Sequence, residues 1–119
     1  MELREIMQQK NFVVLGDTLN PEKYAYKIKK GLEEKGYNVS GVGKDLASIN
    51  DVEGDIDIID LCIHPVKGLK LLKECKKDFK MIVIQPGASD VELVTYLREN
   101  KIPFLDGCLL VGLKLYGRN

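Results

Sequence analysis

Residues 12–23 read Phe12-Val13-Val14-Leu15-Gly16-Asp17-Thr18-Leu19-Asn20-Pro21-Glu22-Lys23. Four consecutive apolar residues without alternation mark a strand covered on both faces, and Gly16 closes it. Asn20-Pro21 then reads as a helix start, with Asn20 at the cap and Pro21 at the first helical position, where a missing N–H is harmless. Ala25, Ile28 and Leu32 line one face of that helix, and Gly36 ends it. Strand, glycine turn and helix form the opening unit of an α/β sheet.

The alternation continues in both directions. Leu3, Ile6 and Met7 share a stripe, so residues 2–9 read as a short leading helix. Tyr37–Val42 is a second strand, and residues 46–54 form a loop or one helical turn. Asp57–Ile63 is a third strand, and Pro65 opens a helix striped by Leu69, Leu72, Cys75 and Phe79. Met81–Ile84 is a fourth strand, stopped by Gln85-Pro86-Gly87. Ser89 and Glu92 make a capping box for a helix with Leu93, Val94 and Leu97 inward. Pro103–Leu105 is a brief last strand, and Asp106-Gly107-Cys108 begins the tail. Strand–helix steps of about 20–25 residues demand parallel strands with right-handed crossovers. The expected fold is a Rossmann-like α/β three-layer sandwich over residues 1–119: a mostly parallel sheet of about five strands, helices on both faces.

Composition narrows the partners. The 119 residues carry 18 Lys+Arg and 18 Asp+Glu, a formal net charge of +0, so no long-range field collects nucleic acid or an anionic membrane. The apolar runs are strand-sized, whereas a membrane span needs about 20 residues. The N-terminus, MELREIMQQK, lacks the apolar segment of a secretory signal. Three cysteines (Cys62, Cys75, Cys108) without CxxC spacing suit reduced thiols and a cytoplasmic setting, and one histidine is too few for an ordinary zinc site. An exposed edge strand would allow a homodimer.

In open α/β sheets, ligands bind beyond the carboxyl ends of the strands. Those ends supply Gly16–Asn20, Val42–Asp45, His64–Lys67, Gln85–Ala88 and Asp106–Cys108. The first loop is the best anion cradle, offering helix amides, the Thr18 hydroxyl and the Lys23 charge, although only Gly16 survives of a GxGxxG fingerprint. A tight, well-capped turn explains the same residues equally well. At the end of the second strand Gly43-Lys44 stands where NAD-binding folds carry an acid, which suits a phosphorylated ribose such as that of coenzyme A or NADP. His64 could act as a base with Asp60, or simply end a loop beside ligand or solvent. Cys108 could be a reactive thiol, could pair with a ligand sulfhydryl, or could merely pack. Cys62 and Cys75 read as structural, and the lysines of residues 67–80 as a wet helix face.

The succession Gly16-x-Thr18-x-Asn20-Pro21, Tyr26-Lys27-Ile28, Leu32-x3-Gly36-Tyr37-x-Val39, Ile56-Asp57-Ile58-Ile59-Asp60, Gln85-Pro86-Gly87-Ala88 and Asp106-Gly107-Cys108-Leu109 resembles a known family. It is similar to the small single-domain CoA-binding proteins, themselves similar to the nucleotide-binding domain of succinyl-CoA synthetase. The resemblance runs from about residue 3 to residue 115. It implies a Rossmann-type fold that binds coenzyme A, with no established reaction. By position, Gly16 and Thr18 to Pro21 would hold the pyrophosphate, and Gly43-Lys44 would lie by the adenosine end; Asp17, Asn20, Lys23 and Tyr26 are further candidate cofactor-binding residues. Gln85-Pro86-Gly87 would line the pantetheine path, with Cys108 near the tail, and His64 and Pro65 are further candidate cofactor-binding residues. Members often carry Val-Asn-Pro where this chain has Val42-Gly43-Lys44, and Phe-Arg-Arg where it has Cys62-Ile63-His64. Lys44 and Lys67 are the nearest replacements for those arginines.

The expectation is therefore a non-catalytic CoA or acyl-CoA binding protein that takes a small nucleotide ligand. The alternatives are an NADP-dependent reductase or acyl-CoA-handling component using His64, and a redox sensor working through Cys108.

Overall fold

A computed structural model describes residues 1–118; the final position of the 1–119 span lies outside the described residues. Five strands, β1 (Asn11–Gly16), β2 (Asn38–Gly43), β3 (Ile58–Leu61), β4 (Met81–Ile84) and β5 (Phe104–Asp106), make one all-parallel sheet in the order β2-β1-β3-β4-β5. β3 and β4 are buried along their whole length, whereas the edge strands β2 and β5 are only partly covered. This is the burial expected of a parallel sheet with helices on both faces.

The helices divide by face. α1 (Leu3–Ile6), α2 (Tyr24–Glu34) and α5 (Leu109–Tyr116) cover Phe12, Val14, Ile58 and Val83. A 3-10 turn (Ile49–Asp51), α3 (Pro65–Glu74) and α4 (Val91–Glu99) cover Val13, Leu15, Ile59 and Ile82. Neighbouring residues of one strand thus enter opposite cores, as the pleat requires. Each fully buried Leu, Ile or Phe contributes about 1.5–3 kcal/mol of transfer free energy.

Several boundaries differ from the sequence reading. α2 begins at Tyr24, not Pro21, because the loop before it folds on itself: the amides of Leu19 and Asn20 donate to Asp17 Oδ1, both at 3.2 Å. The Glu22 amide donates to Asn20 Oδ1 at 3.0 Å, so Asn20 closes a turn and does not cap the helix. A residue preceding proline also resists the helical region, which separates Asn20 from α2. α4 is capped by Asp90, whose Oδ1 accepts from the Leu93 amide at 2.9 Å, so the Ser89–Glu92 box does not form. α3 stops at Glu74, leaving Cys75 as its cap and Phe79 beyond it, and α1 is a single turn. The tail after Cys108 is the helix α5, unforeseen because its apolar run lacks polar punctuation. Its buried residues Leu109, Gly112 and Leu113 do keep the i, i+3, i+4 spacing of a helix.

Two carboxylates in or near β3 have opposite environments. Asp57 accepts from the amides of Lys10 (3.1 Å) and Asn11 (2.9 Å) and pairs with Lys80 at 3.2 Å. Burial alone would raise its pKa; those donors outweigh it and hold the carboxyl below its ordinary range. Asp60 is completely buried, and neither oxygen has a hydrogen-bond partner. Burial, with Cys108 nearby, pushes its pKa well above the ordinary carboxylate range.

Candidate functional site

The order 2-1-3-4-5 reverses between β1 and β3, and the loops beyond their carboxyl ends part there into a crevice. Gly16 makes the close packing beside it feasible. A Cβ at this position would collide with the Cys62 carbonyl oxygen and stand 2.8 Å from the Ala25 Cβ, so the start of α2 can settle against β1 and β3 only over a glycine.

Two clefts share this rim. The first, of about 360 Å³, takes Asp17 and Lys23 from the loop after β1, and Tyr24 and Ala25 from the start of α2. Its opposite wall is Cys62, Ile63 and His64 after β3, and Pro86, Gly87 and Ala88 after β4. The second, of about 400 Å³, adjoins it across Asp17 and Ile63 and reaches Gly16, Gly43, Lys44 and the outer turns of α3.

Within the loop of residues 17–23, the Thr18 amide donates to Gly16 O (3.1 Å) and the Lys23 amide to Asn20 O (3.0 Å). Together with the amides held by Asp17 and Asn20, these donors are spent inside the protein. The free donors come later: Lys23 caps α2 without a side-chain hydrogen bond. Among the described residues the amides of Tyr24, Ala25 and Tyr26 meet no acceptor. Tyr24 and Ala25 border the first cleft. Unclaimed amides at a helix start carry the positive end of the dipole and favour an anion.

The expected site residues separate into groups. Asp17, Lys23, His64, Pro86 and Gly87 meet at the first cleft, and Gly16, Gly43 and Lys44 at the second. Thr18 is buried with its hydroxyl unpartnered and packs so closely on β2 that a Cβ at Gly41 would strike it; with Tyr26 it borders a separate, smaller hollow. Asn20 and Pro21 belong to the turn. Pro65 opens α3, and buried Gln85 accepts the Leu109 amide at 2.8 Å, which ties β4 to α5. Tyr24, Ala25 and Ile63 were missed, Ala88 comes in with the expected Gln85–Ala88 strand end, and Cys62 borders the cleft half-buried although it reads as structural. Nothing in their residue types marks them; only their position beside the reversal does.

His64 caps α3, accepting the Val66 amide on Nδ1 at 3.3 Å, which requires that nitrogen unprotonated and puts the ring proton on Nε2. Asp60 has no partner, so the pair considered for acid–base work does not assemble. Cys108 stands at the start of α5. Burial would push its thiol up, but the Gln85 side chain and the amides of Val111 and Leu110 lower its pKa overall. At Cys62, burial, then Asp60 and Cys108, push the thiol up to about 12. Iodoacetamide should therefore alkylate Cys108 well ahead of Cys62, with its half-maximal rate reached at a lower pH than for Cys62. Peptide mass spectrometry across pH reads this directly, and equal labelling of the two thiols would contradict it.

The fold and its rim together define a Rossmann-like α/β domain with a cleft at its strand reversal. A family model described as a CoA binding domain matches residues 10–114, and the chain belongs to that family. Among solved structures it is similar to a conserved hypothetical protein from Pyrococcus furiosus: 28% identity, 87% of this chain and 98% of that one, TM-score 0.75. A Thermus thermophilus protein shares 26% identity over 96% of this chain and 98% of its own, TM-score 0.74. Prb, a protein redesigned for binding, shares the fold at 22% identity and TM-score 0.81, over 96% of this chain and 89% of its own. No curated protein matches the chain. Among the described residues no helix is long and apolar enough to cross a membrane.

Proposed function

We propose that this chain binds coenzyme A, free or as a thioester, across the two adjoining clefts and catalyses no reaction on it. Membership of the CoA-binding family supplies the ligand class. The observation that carries the reading is the pair of unclaimed amides at Tyr24 and Ala25, beside a hollow large enough for a diphosphate. In this reading the pyrophosphate lies against those amides, with Lys23 adding charge. The adenosine end runs past Gly16 toward Gly43 and Lys44, and the pantetheine arm passes His64, Pro86 and Gly87. His64 Nε2–H donates to the ligand. With Nδ1 committed to the cap and no carboxylate to orient the ring, His64 orients and does not abstract protons.

NADP is the second reading, favoured by one residue: Lys44 where an NAD-specific fold carries an acid. Titration calorimetry with coenzyme A and with NADP separates the two. Coenzyme A at 100 times its Kd is expected to stabilise the fold by about 2.7 kcal/mol. Lys23→Ala should weaken binding about threefold to tenfold, as the loss of one partly exposed charge contact does. Absence of both heat and thermal shift at millimolar coenzyme A would dismiss this function.

A further inference from the structure

α5 departs from the pattern of the other long helices. The solvent faces of α2 and α3 are mainly lysine and glutamate, whereas α5 exposes Val111, Lys114, Leu115 and Tyr116, with one charge among them. Val111 is 48% exposed and Leu115 61%, and their i, i+4 spacing sets both away from the buried Leu109, Gly112 and Leu113. A helix that is apolar nearly all round is one whose outer face is also covered. α5 is firmly seated: a Cβ at Gly112 would stand 2.8 Å from Met7 Sδ, and one at Gly31 2.9 Å from Leu113 Cδ1. Two charges flank the apolar pair. Asp106, the last residue of β5, precedes the helix, and Lys114 lies in its last turn; both are exposed, and among the described residues neither has an ion-pair partner. One α5 laid antiparallel on another across a two-fold axis sets Val111 of each copy against Leu115 of the other. The same crossing brings each Asp106 toward the opposite Lys114. One sequence thus matches its own apolar and charged groups twice, and a net charge of +0 leaves no repulsion between copies. The sheet edges offer less: β5 has three residues, and along β2 Leu46 already donates to Gly41 O and accepts the Gly43 amide.

We propose that α5 is a self-association surface, pairing two copies of this chain about a two-fold axis with Val111 against Leu115 at the centre and Asp106 beside Lys114 at the rim. None of these four residues borders either cleft, so the association is distinct from ligand binding. A contact built on a few aliphatic side chains is modest, with a dissociation constant of about 1–100 µM. Each substitution acts twice, because the axis places it in both halves of the interface.

Sedimentation equilibrium across that range should give a mass that rises with concentration from one chain toward two. Leu115→Glu should raise the dissociation constant about thirtyfold or more, since a charge replaces a central apolar contact. Val91→Glu, at an apolar residue 83% exposed on α4, should leave it unchanged. Asp106→Lys and Lys114→Asp should each weaken the dimer about threefold to tenfold by setting like charges opposite one another. Combining them in one chain should restore the native affinity, and mixing the two single variants should give a heterodimer tighter than either homodimer. A chain that stays monomeric throughout, or a dimer indifferent to Leu115→Glu, would overturn the proposal. So would a charge exchange that restores nothing, or a monomer that binds anionic vesicles through Leu115, which would assign the face to a membrane.

Discussion

An Asp60→Asn variant is expected to lose a pH dependence of stability that the native chain shows above about pH 4. In the folded protein Asp60 is fully buried with no donor on either oxygen, and its pKa is raised well above the ordinary value. In the unfolded chain it ionises near pH 3.9. Between those limits the unfolded state carries one proton fewer than the folded state, so unfolding releases a proton and rising pH favours it. The stabilising difference is full below about pH 4 and falls by about 1.4 kcal/mol per pH unit until the folded-state pKa is passed. Asparagine at position 60 removes the ionisation with nearly the same volume, so the variant should be the more stable at neutral pH and insensitive through this group. Asp57 has the opposite sign: its lowered pKa contributes stability above the unfolded value that is lost as acid is added. Urea unfolding at intervals from pH 5 to pH 8 tests the first effect. Parallel slopes in the two proteins would show that Asp60 is ionised in the fold.

Gly16→Ala should be strongly destabilising. The added carbon meets a backbone carbonyl at Cys62 and a core methyl at Ala25, and neither can rotate away. Overpacking alone costs about 1–3 kcal/mol, and here either α2 or the loop after β3 must also move. In a domain of this size a loss of about 2 kcal/mol lowers the melting temperature by roughly 6–12 °C. Because Tyr24 and Ala25 border the cleft, the thermal shift produced by coenzyme A should vanish with it. Gly36→Ala serves as the control: its φ of +84° strains an alanine, but no atom lies within 4 Å, so the cost should stay near 1 kcal/mol and binding should survive. A Gly16→Ala protein with native melting temperature and native ligand shift would show that the crevice does not depend on this contact.

The elements foreseen most accurately were those with the least choice. Met81–Ile84 is a strand with the expected ends, and Phe12–Leu15 lies within β1, because a four-residue apolar run rich in β-branched residues, set between polar residues or glycine, has few other ways to bury itself. Helix starts were less legible. Asn20, Ser89 and Asp90 are all acceptable caps in isolation, and which of them caps depends on where neighbouring side chains and carbonyls sit in three dimensions. Asp90 holds the Leu93 amide while Asn20 spends its oxygen on Glu22, two outcomes that local propensity alone does not distinguish.

From the amino-acid sequence alone came the strand–helix alternation, the parallel sheet, the loops that meet at its carboxyl rim and the family to which the chain belongs. All of these depend on which residues are apolar and how they are spaced along one dimension. Which amides remain free and which carboxyl is sealed from water were decided by the tertiary structure. Those properties arise where Gly16, Tyr24 and His64 are brought together across loops that share no periodicity, so each residue's chemistry depends on neighbours far away in the chain.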